Sequence, residues 1–465
     1  MQRELLFRVS LPVEAERAYA WHENDSAFNR LRPAWDSTRM LSTEGIRNGG
    51  RAVIALRSPL GTLNWHAEHF NVQPGREFSD RQLRGPFRFW QHTHQFNAIS
   101  AGSSELVDIV RYELPFSPLS DFFAGWFVRR QLRAMFAYRH RILSDDLSFW
   151  NSLREQRKMR ILVTGSRGLI GRELVAFLRM GGHEVIGMSR SASANSVSAP
   201  TAQWDLVQPV PQNATPLLDG KALDAVIHLA GEGIAEKRWT SKQKQILYET
   251  RIRATENLIN GLNTLGLRPK VFISASGVGY YGDSGDSILT ENSPMGQGFL
   301  AGLARDWEAA AQKAETIFAA RCVQVRLSTV LSAHGGALEK MLLPFKMGVG
   351  GRLGSGRQWM SWVALDDVLY AIAFLLSSDA LSGPMNLVSP QPVTNEELTR
   401  TLSALLRRPA ILPAPSFALR LALGEMADEL LLCSQRAIPE ALLAAGFVFR
   451  HASLSSALQH TLGKN

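Results

Sequence analysis

Two cysteines, Cys322 and Cys433, are all that 465 residues provide. Far apart in the chain, they support neither a disulfide framework nor a thiolate metal site. Their scarcity suits a reducing compartment, and a cytoplasmic location is expected. No apolar run of about 18 residues occurs, and the best candidate, 410–432, is broken by Arg420, Glu425, Asp428 and Glu429, so no transmembrane segment is expected. The opening MQRELLFRVS lacks an apolar h-region, and no signal peptide is expected. Acidic excess is absent too: the formal net charge is +9. Yet the basic residues form no long block, and the densest clusters, FVRRQLR and YRHR near 128–141, read as one helix face, either solvated or in contact with an anion or a membrane. Charge alone therefore implies no nucleic-acid partner. Hydrophobic residues make up 45%, enough for the cores of two or three domains, and a charged fraction of 20% argues against global disorder. Oligomeric state leaves no mark on this sequence.

The composition changes near residue 150. Six of eleven tryptophans lie at or before Trp150. The first part opens with a strand, RELLFRVSLP, followed by helical segments around 13–32. Strand-like runs then fall at 37–44, 51–57, 62–71, 77–83, 87–98 and 104–112. A long amphipathic stretch, 118–147, closes the unit, with Phe122, Phe123, Trp126, Phe127, Leu132 and Phe136 expected on one side. This order over residues 1–148 resembles the START-like, or SRPBCC, helix-grip superfamily. The resemblance implies an α+β domain whose sheet wraps a helix around a cavity for an apolar or amphipathic ligand. His66, His69, His92 and His94 lie along presumed strands, and His92 and His94 share a face. A metal site there needs a third ligand that the sequence does not point to, so no metal is expected. Residues 149–158, FWNSLREQRK, read as a linker.

From 159 onward strands and helices alternate. Strands read at 159–164, 183–189, 224–229, 270–274 and 322–327; helices at about 168–181, 241–266, 299–320 and 366–378. This predicts an α/β unit with a mostly parallel sheet covered on both faces. Residues 191–203, SASANSVSAPTAQ, read as a surface loop.

At the first of these strand-to-helix junctions stands VTGSRGLIG. Gly165 permits a tight turn, Gly168 admits a pyrophosphate close to the backbone, and Gly171 lets helix and strand pack. The amides of Ser166, Arg167, Leu169 and Ile170 complete an anion cradle at a helix start. The spacing Gly-x-x-Gly-x-x-Gly resembles the short-chain dehydrogenase/reductase superfamily. In that family an acidic residue ending the second strand selects a free ribose 2′-hydroxyl. Here Ser189 and Arg190 stand there, with Arg167 in the loop, and two guanidiniums suit a 2′-phosphate. The expected cofactor is NADP(H). Asp205 resembles the adenine-contacting position, and Leu229, Ala230 and Gly231 follow the fourth strand, which runs past the cofactor.

The catalytic pair usual in that superfamily, Tyr-x-x-x-Lys, is missing. None of the seven tyrosines has a lysine four residues later. By resemblance the pair falls at Phe299 and Leu303, which move no proton. The accompanying serine matches Ser276, with Ser274 second, and Tyr280 or Tyr281 offers a phenol. The arginine with which nucleotide-sugar epimerases grip a diphosphate falls at Met360; Arg357 is close but shifted.

These departures form a pattern. GEGIAEKRWT (231–240), SASGVGYYGD (274–283), GGRLGSGRQWMSWVALDDV (350–368), NLVSP (386–390) and SQRAIPEALLAAGFVF (434–449) resemble the atypical extended members labelled "epimerase family protein". The resemblance implies a Rossmann domain at 159–410, with a mostly helical substrate or lid region at 330–360 and 390–465, within which 411–465 form a C-terminal module. Candidate catalytic residues are Ser276, Tyr280, Tyr281 and Glu232; Arg238, Trp239 and Arg357 are candidate substrate contacts. Glu232 is either a base or the partner of Arg238 in a structural clamp, and Trp239, Trp359 and Trp362 either line a pocket or pack. Asp366 and Asp367 are expected to cap the following helix. Two functions stay open: an NADP(H)-dependent oxidoreductase or epimerase-like enzyme acting on a small apolar or amphipathic molecule, and a non-catalytic NADP(H)-binding redox-sensing or scaffolding protein.

Overall fold

The computed structural model describes residues 2–58, 61–117, 119–153, 157–190 and 200–464. β1 (Arg3–Leu11) alternates half-buried and exposed residues, as a strand with one wet face must. α1 (Ala15–Glu23) and α2 (Ala27–Leu31) follow. Then come β2 (Arg39–Thr43), β3 (Arg51–Ser58), β4 (Gly61–Gln73), β5 (Glu77–Arg84), β6 (Phe89–Ser100) and β7 (Ser103–Glu113). All pair antiparallel in the order β1-β7-β6-β5-β4-β3-β2. α3 (Leu119–Ser152) then runs 34 residues, about 50 Å at 1.5 Å per residue.

Two expectations for this unit need correction. The face of α3 that packs on the sheet runs through Ala124, Val128, Leu132, Met135 and Phe136. Helical geometry then turns Phe122, Phe123, Trp126 and Phe127 outward, and they are 83, 80, 63 and 55% exposed. The linker is also shorter than expected. α3 continues through Phe149 and Trp150, whose rings lie 5.7 and 4.8 Å from Phe177 in the core of the second unit. Residues 154–156 of that linker lie outside the described residues. The interior between sheet and helix also holds polar groups: His92, Asp108 and His140 are buried in it.

The second unit begins with β8 (Arg160–Thr164), α4 (Leu169–Met180), β9 (Glu184–Ser189), β10 (Thr201–Gln203) and β11 (Ala225–His228). α5 (Ser241–Tyr248), α6 (Ala254–Thr264), β12 (Val271–Gly277), β13 (Ile288–Leu289), α7 (Phe299–Phe318) and β14 (Arg321–Leu327) follow. Then come β15 (Thr329–Leu331), α8 (Gly336–Lys346), β16 (Trp359–Met360), β17 (Trp362–Ala364), α9 (Leu365–Ser377) and β18 (Gly383–Leu387). The C-terminal stretch holds β19 (Val393–Thr394), α10 (Asn395–Leu406), α11 (Ser416–Leu423), α12 (Glu425–Ala427), β20 (Arg436–Ala437), α13 (Glu440–Ala444) and α14 (Leu454–Leu462).

Seven strands form one parallel sheet, ordered β10-β9-β8-β11-β12-β14-β18. Every residue of β8 and β11 is buried, as a sheet covered on both faces requires. Alternate residues feed two cores. Ile161, Val163, Ile227 and Ile273 enter one, Leu162, Val226 and Phe272 the other. Each such side chain contributes roughly 1.5–3 kcal/mol. Strand order reverses between β8 and β11, which opens a crevice at their carboxyl ends.

The expected helix 241–266 is broken by a π turn at Glu249–Arg253, where Thr250 Oγ1 donates to the Ile246 carbonyl at 2.8 Å. The edge strands β10 and β18 were not expected. Of the anticipated loop 191–203, residues 191–199 lie outside the described residues and 201–203 are β10. The C-terminal region is helical but adds short strand pairs, β13 with β20 and β16 with β19.

The two units share a buried polar seam. Arg30 of α2 holds Asp146 of α3 through Nε and Nη2 (2.7 and 2.8 Å) and Asp366 of α9 through Nη1 (2.5 Å). His460 Nε2 of α14 lies 2.7 Å from the other oxygen of Asp366, while Asp367 accepts the amides of Arg450 and His451 at 2.7 and 3.0 Å. Asp366 and Asp367 thus pin neighbouring segments, rather than capping their own helix.

Candidate functional site

The glycine loop sits at the crevice. Gly165 has φ +65°, and a Cβ there would lie 2.9 Å from the Leu229 carbonyl carbon and oxygen. A Cβ on Gly171 would run into the Gly165 carbonyl oxygen, so the turn closes only with glycine at both ends. Gly168 stands at the N-cap of α4, and Leu169 and Ile170 form its first turn. Ser166 Oγ donates to the Met188 carbonyl at 3.0 Å, which ties the loop to the end of β9, where Ser189 and the exposed Arg190 follow. Arg167 is exposed on the same rim.

Thr164, the last residue of β8, organises the opposite wall. Its Oγ1 accepts the amides of Leu229 and Ala230 at 3.1 and 3.2 Å. Its hydroxyl proton therefore goes to His228 Nδ1, 2.7 Å away, and His228 Nε2–H donates to Thr255 Oγ1 at 3.0 Å. Burial drives the His228 pKa down to about 3, so the ring stays neutral. Gly231 packs against Arg251, whose Nη2 donates to the Glu232 carbonyl at 2.8 Å.

Ser276 lies at the end of β12. His228 is in register with Ser274, so Ser276 reaches two residues further toward the crevice. Its Oγ donates to Glu308 Oε1 of α7 at 2.7 Å. Arg326 of β14 grips the same carboxylate through Nε and Nη2, both at 2.8 Å. Arg326 Nη1 also donates to Tyr281 Oη at 2.9 Å, and that hydroxyl donates to Asn386 Oδ1 at 2.7 Å. The half-buried Tyr280 ring lies under the Arg326 guanidinium at 3.6 Å. Burial raises the Tyr281 pKa while Arg326 pulls against it. Burial also works against the Arg326 charge, but Glu308 more than offsets it and raises its pKa. Ser276, Tyr280 and Tyr281 thus meet around a buried Arg326–Glu308 pair. Sequence reasoning missed both partners, although an arginine between Val325 and Leu327 in a buried strand signals a buried counter-charge.

Other candidates are placed differently. The Glu232 carboxylate faces Lys237 at 4.0 Å, and Arg238 lies beside Gly424, so no Glu232–Arg238 clamp forms. Ser274 is buried and donates to the Ala275 carbonyl at 3.2 Å. Asp205 Oδ1 accepts the Val207 amide at 3.3 Å in a local turn. Trp239 packs in a core with Leu303 and Trp307, and Trp362 is fully buried, donating to the Gln391 carbonyl at 2.9 Å. Trp359 Nε1 donates to Asp286 Oδ1 at 2.8 Å, with Arg436 over its ring. Arg357 is exposed on the loop preceding β16.

The C-terminal module clasps this site. Asp283 Oδ1 accepts the Ser434 amide at 3.0 Å, and Gln435 Nε2 donates to the Gly282 carbonyl at 3.2 Å. The two motifs that stood far apart in sequence, YYGD and SQRA, are therefore one structural unit.

A Rossmann sheet, a Gly-x-x-Gly-x-x-Gly turn at its switch point and a serine at the end of β12 define an extended short-chain dehydrogenase/reductase framework. Residues 161–388 match the NAD dependent epimerase/dehydratase family, and residues 414–461 match a domain of unknown function, DUF1731. The chain is 44% identical over 301 residues to Epimerase family protein Mb2239 of Mycobacterium bovis, covering 64% of this chain and 96% of that protein. It belongs to the NAD dependent epimerase/dehydratase family, in its branch of epimerase family proteins. Among solved structures, one described as the nucleoside-diphosphate sugar epimerase from Corynebacterium glutamicum aligns with a TM-score of 0.79 and 32% identity, over 99% of this chain and 90% of that one. The N-terminal unit therefore has a structural counterpart there. Human epimerase family protein SDR39U1, solved with NADPH, aligns with a TM-score of 0.57 and 32% identity, over 65% of this chain and 99% of its own.

Among the described residues, no helix is long and apolar enough to cross a membrane.

Proposed function

We propose that the chain binds NADP(H) at Gly165–Gly171 and acts as an oxidoreductase or epimerase-like enzyme on a small molecule. The observation that carries the reading is the turn itself. Gly165 and Gly171 are packed so closely that no side chain fits, and the start of α4 opens toward the crevice. The NADPH-bound human relative supports the choice of dinucleotide. Arg167, Ser189 and Arg190 would hold the 2′-phosphate, and Leu229, Ala230 and Gly231 would line the opposite wall. When bound, this group supplies hydride exchange at its nicotinamide.

The protein's own residues position the substrate. Ser276 donates its hydroxyl hydrogen bond to Glu308, which turns a lone pair of its oxygen toward the crevice to accept from a substrate hydroxyl. Arg326 fixes the Glu308 carboxylate in place through two hydrogen bonds. Tyr280, the more accessible phenol, orients the substrate, while the buried Tyr281 positions Arg326. Glu232 stands on the same rim, and Arg238 and Arg357 are exposed where an anionic or polar substituent would enter. The N-terminal unit we read as a START-like helix-grip domain. Its element order and closing helix support this, and its interior offers a polar patch beside the apolar one for an amphipathic ligand.

The absence of a tyrosine and lysine at Phe299 and Leu303 favours the second reading, a binding or sensing protein without turnover. Deuterium decides between them. With cofactor labelled at nicotinamide C4 and a mixture of small metabolites, an enzyme passes label into a product, and Ser276→Ala loses most of that transfer. A protein that binds the cofactor yet passes no label to any product is a sensor or scaffold.

A further inference from the structure

Away from the glycine loop, ionisable side chains converge inside the N-terminal sheet. Asp80 of β5 is paired in register with His92 of β6, and His94 of β6 with Asp108 of β7. His69 of β4 is in register with Asp80, and α3 adds His140. The period of two puts His92 and His94 on one face, and antiparallel pairing brings the carboxylates of both neighbouring strands to the same place.

The contacts are short. His92 Nε2 lies 3.0 Å from Asp108 Oδ1, and its Nδ1 lies 3.4 Å from Asp80 Oδ1. His140 Nε2 lies 2.6 Å from Asp108 Oδ2. His94 Nδ1 comes within 2.7 Å of Asp108 Oδ1, but without the alignment of a hydrogen bond. That nitrogen and His69 Nδ1 are buried with no hydrogen-bond partner. A network joined only by protons leaves the His94 nitrogen, which belongs to the candidate ligand set, without a hydrogen bond, which is costly in an interior. One ligand atom from each of Asp80, His92 and His94 lies within 4.8 Å of the other two.

We propose that Asp80, His92 and His94 bind a divalent first-row transition ion of the zinc class, with Asp108 orienting His92 from behind. Two imidazoles and a carboxylate are borderline ligands that prefer zinc, cobalt or iron over magnesium or calcium. The surroundings match what metal-ligating groups need. His92 has its second nitrogen on a buried carboxylate, and Trp90 Nε1 donates to the free oxygen of Asp80 at 3.3 Å. The charges of Asp80 and Asp108 balance the ion. Three protein ligands leave a coordination position for water or a ligand, and the side chains of His94 and Asp80 retain 13 and 20% exposure for entry. A second group, Asp366, His451 and His460, has similar spacing, but Arg30 already occupies Asp366 at 2.5 Å. It serves as the internal control.

The full chain, stripped with chelator and titrated with Co²⁺, tests this through the visible d–d band, followed by displacement with Zn²⁺. The expected result is one Co²⁺ per chain, released by Zn²⁺. His92→Ala and His94→Ala should each weaken binding at least about tenfold, and Asp108→Asn by about 10- to 100-fold, while His451→Gln leaves it unchanged. If a variant fails to fold, X-ray absorption on the wild-type Co²⁺ complex replaces it, with two imidazoles in the shell as the expected result. No d–d band at saturating metal in folded protein, an all-oxygen shell, or binding that survives His92→Ala and His94→Ala would overturn the proposal.

Discussion

Glu429 lies across the start of α7, where its two carboxylate oxygens accept the Phe299 and Leu300 amides at 2.8 and 2.7 Å. By resemblance, Phe299 stands where short-chain dehydrogenases carry their catalytic tyrosine. Here a residue of the C-terminal module caps the helix instead, placing negative charge at its positive end. The module thereby closes over the place from which the tyrosine is missing. Glu429→Gln should cost about 1 kcal/mol, read from the urea midpoint. An unchanged midpoint would mean the cap carries no stability.

Ser276 and Glu308 separate in the same kind of experiment. Ser276→Ala removes a hydrogen bond to a charged group, worth roughly 1.5–3 kcal/mol, and should abolish most label transfer in a folded protein. Glu308→Gln strands the buried Arg326 and should cost about 3–5 kcal/mol. Equal, small losses for both would show that Arg326 does not depend on Glu308.

Arg30 joins three elements across the seam between the two units. Burial raises the Asp146 pKa against the pull of Arg30, whereas at Asp366 the attraction of Arg30 and His460 outweighs burial and lowers it. Arg30→Met leaves Asp146 without its counter-charge and Asp366 with His460 alone, with an expected cost of about 3–5 kcal/mol. Urea unfolding followed by tryptophan fluorescence should then split into two steps, since Trp65 and Trp90 lie in the core of the first unit and Trp204 and Trp307 in cores of the second. A single, unshifted transition would contradict the seam's role.

The pH dependence has a definite sign. Buried His228 has its pKa lowered to about 3, against about 6.5 when unfolded. Between those values the unfolded chain holds a proton that the native state refuses. Stability therefore falls as pH drops below about 6.5, with a slope approaching 1.4 kcal/mol per unit from this residue. His228→Gln should flatten that acid limb between about pH 7 and about pH 5 relative to wild type. An identical limb would place the titration elsewhere.

Much of this molecule is legible in the sequence, but only where the signal is local. VTGSRGLIG announces itself because turn, anion cradle and helix start occupy nine consecutive residues. The parallel sheet shows as unbroken apolar runs. Glu308 and Arg326 do not show, because their pairing depends on α7 and β14 packing side by side. Asp80 was likewise invisible as a partner of His92, since register between β5 and β6 is set by the whole sheet. The edge strand β10 is too short to carry a period, and β18 opens with Gly383 and Pro384, which read as a turn. The outward turn of Phe122, Phe123, Trp126 and Phe127 eluded reading because two apolar stripes compete on α3, and the sheet takes the one containing Ala124 and Val128.

Calorimetry with NADPH and NADH on the full chain tests the central claim most directly. NADPH should bind in one site per chain and at least about tenfold more tightly than NADH, a difference of about 1.4 kcal/mol, and Arg190→Ala should narrow the gap. No uptake of NADPH or NADP⁺ by folded protein would contradict the assignment of the glycine loop.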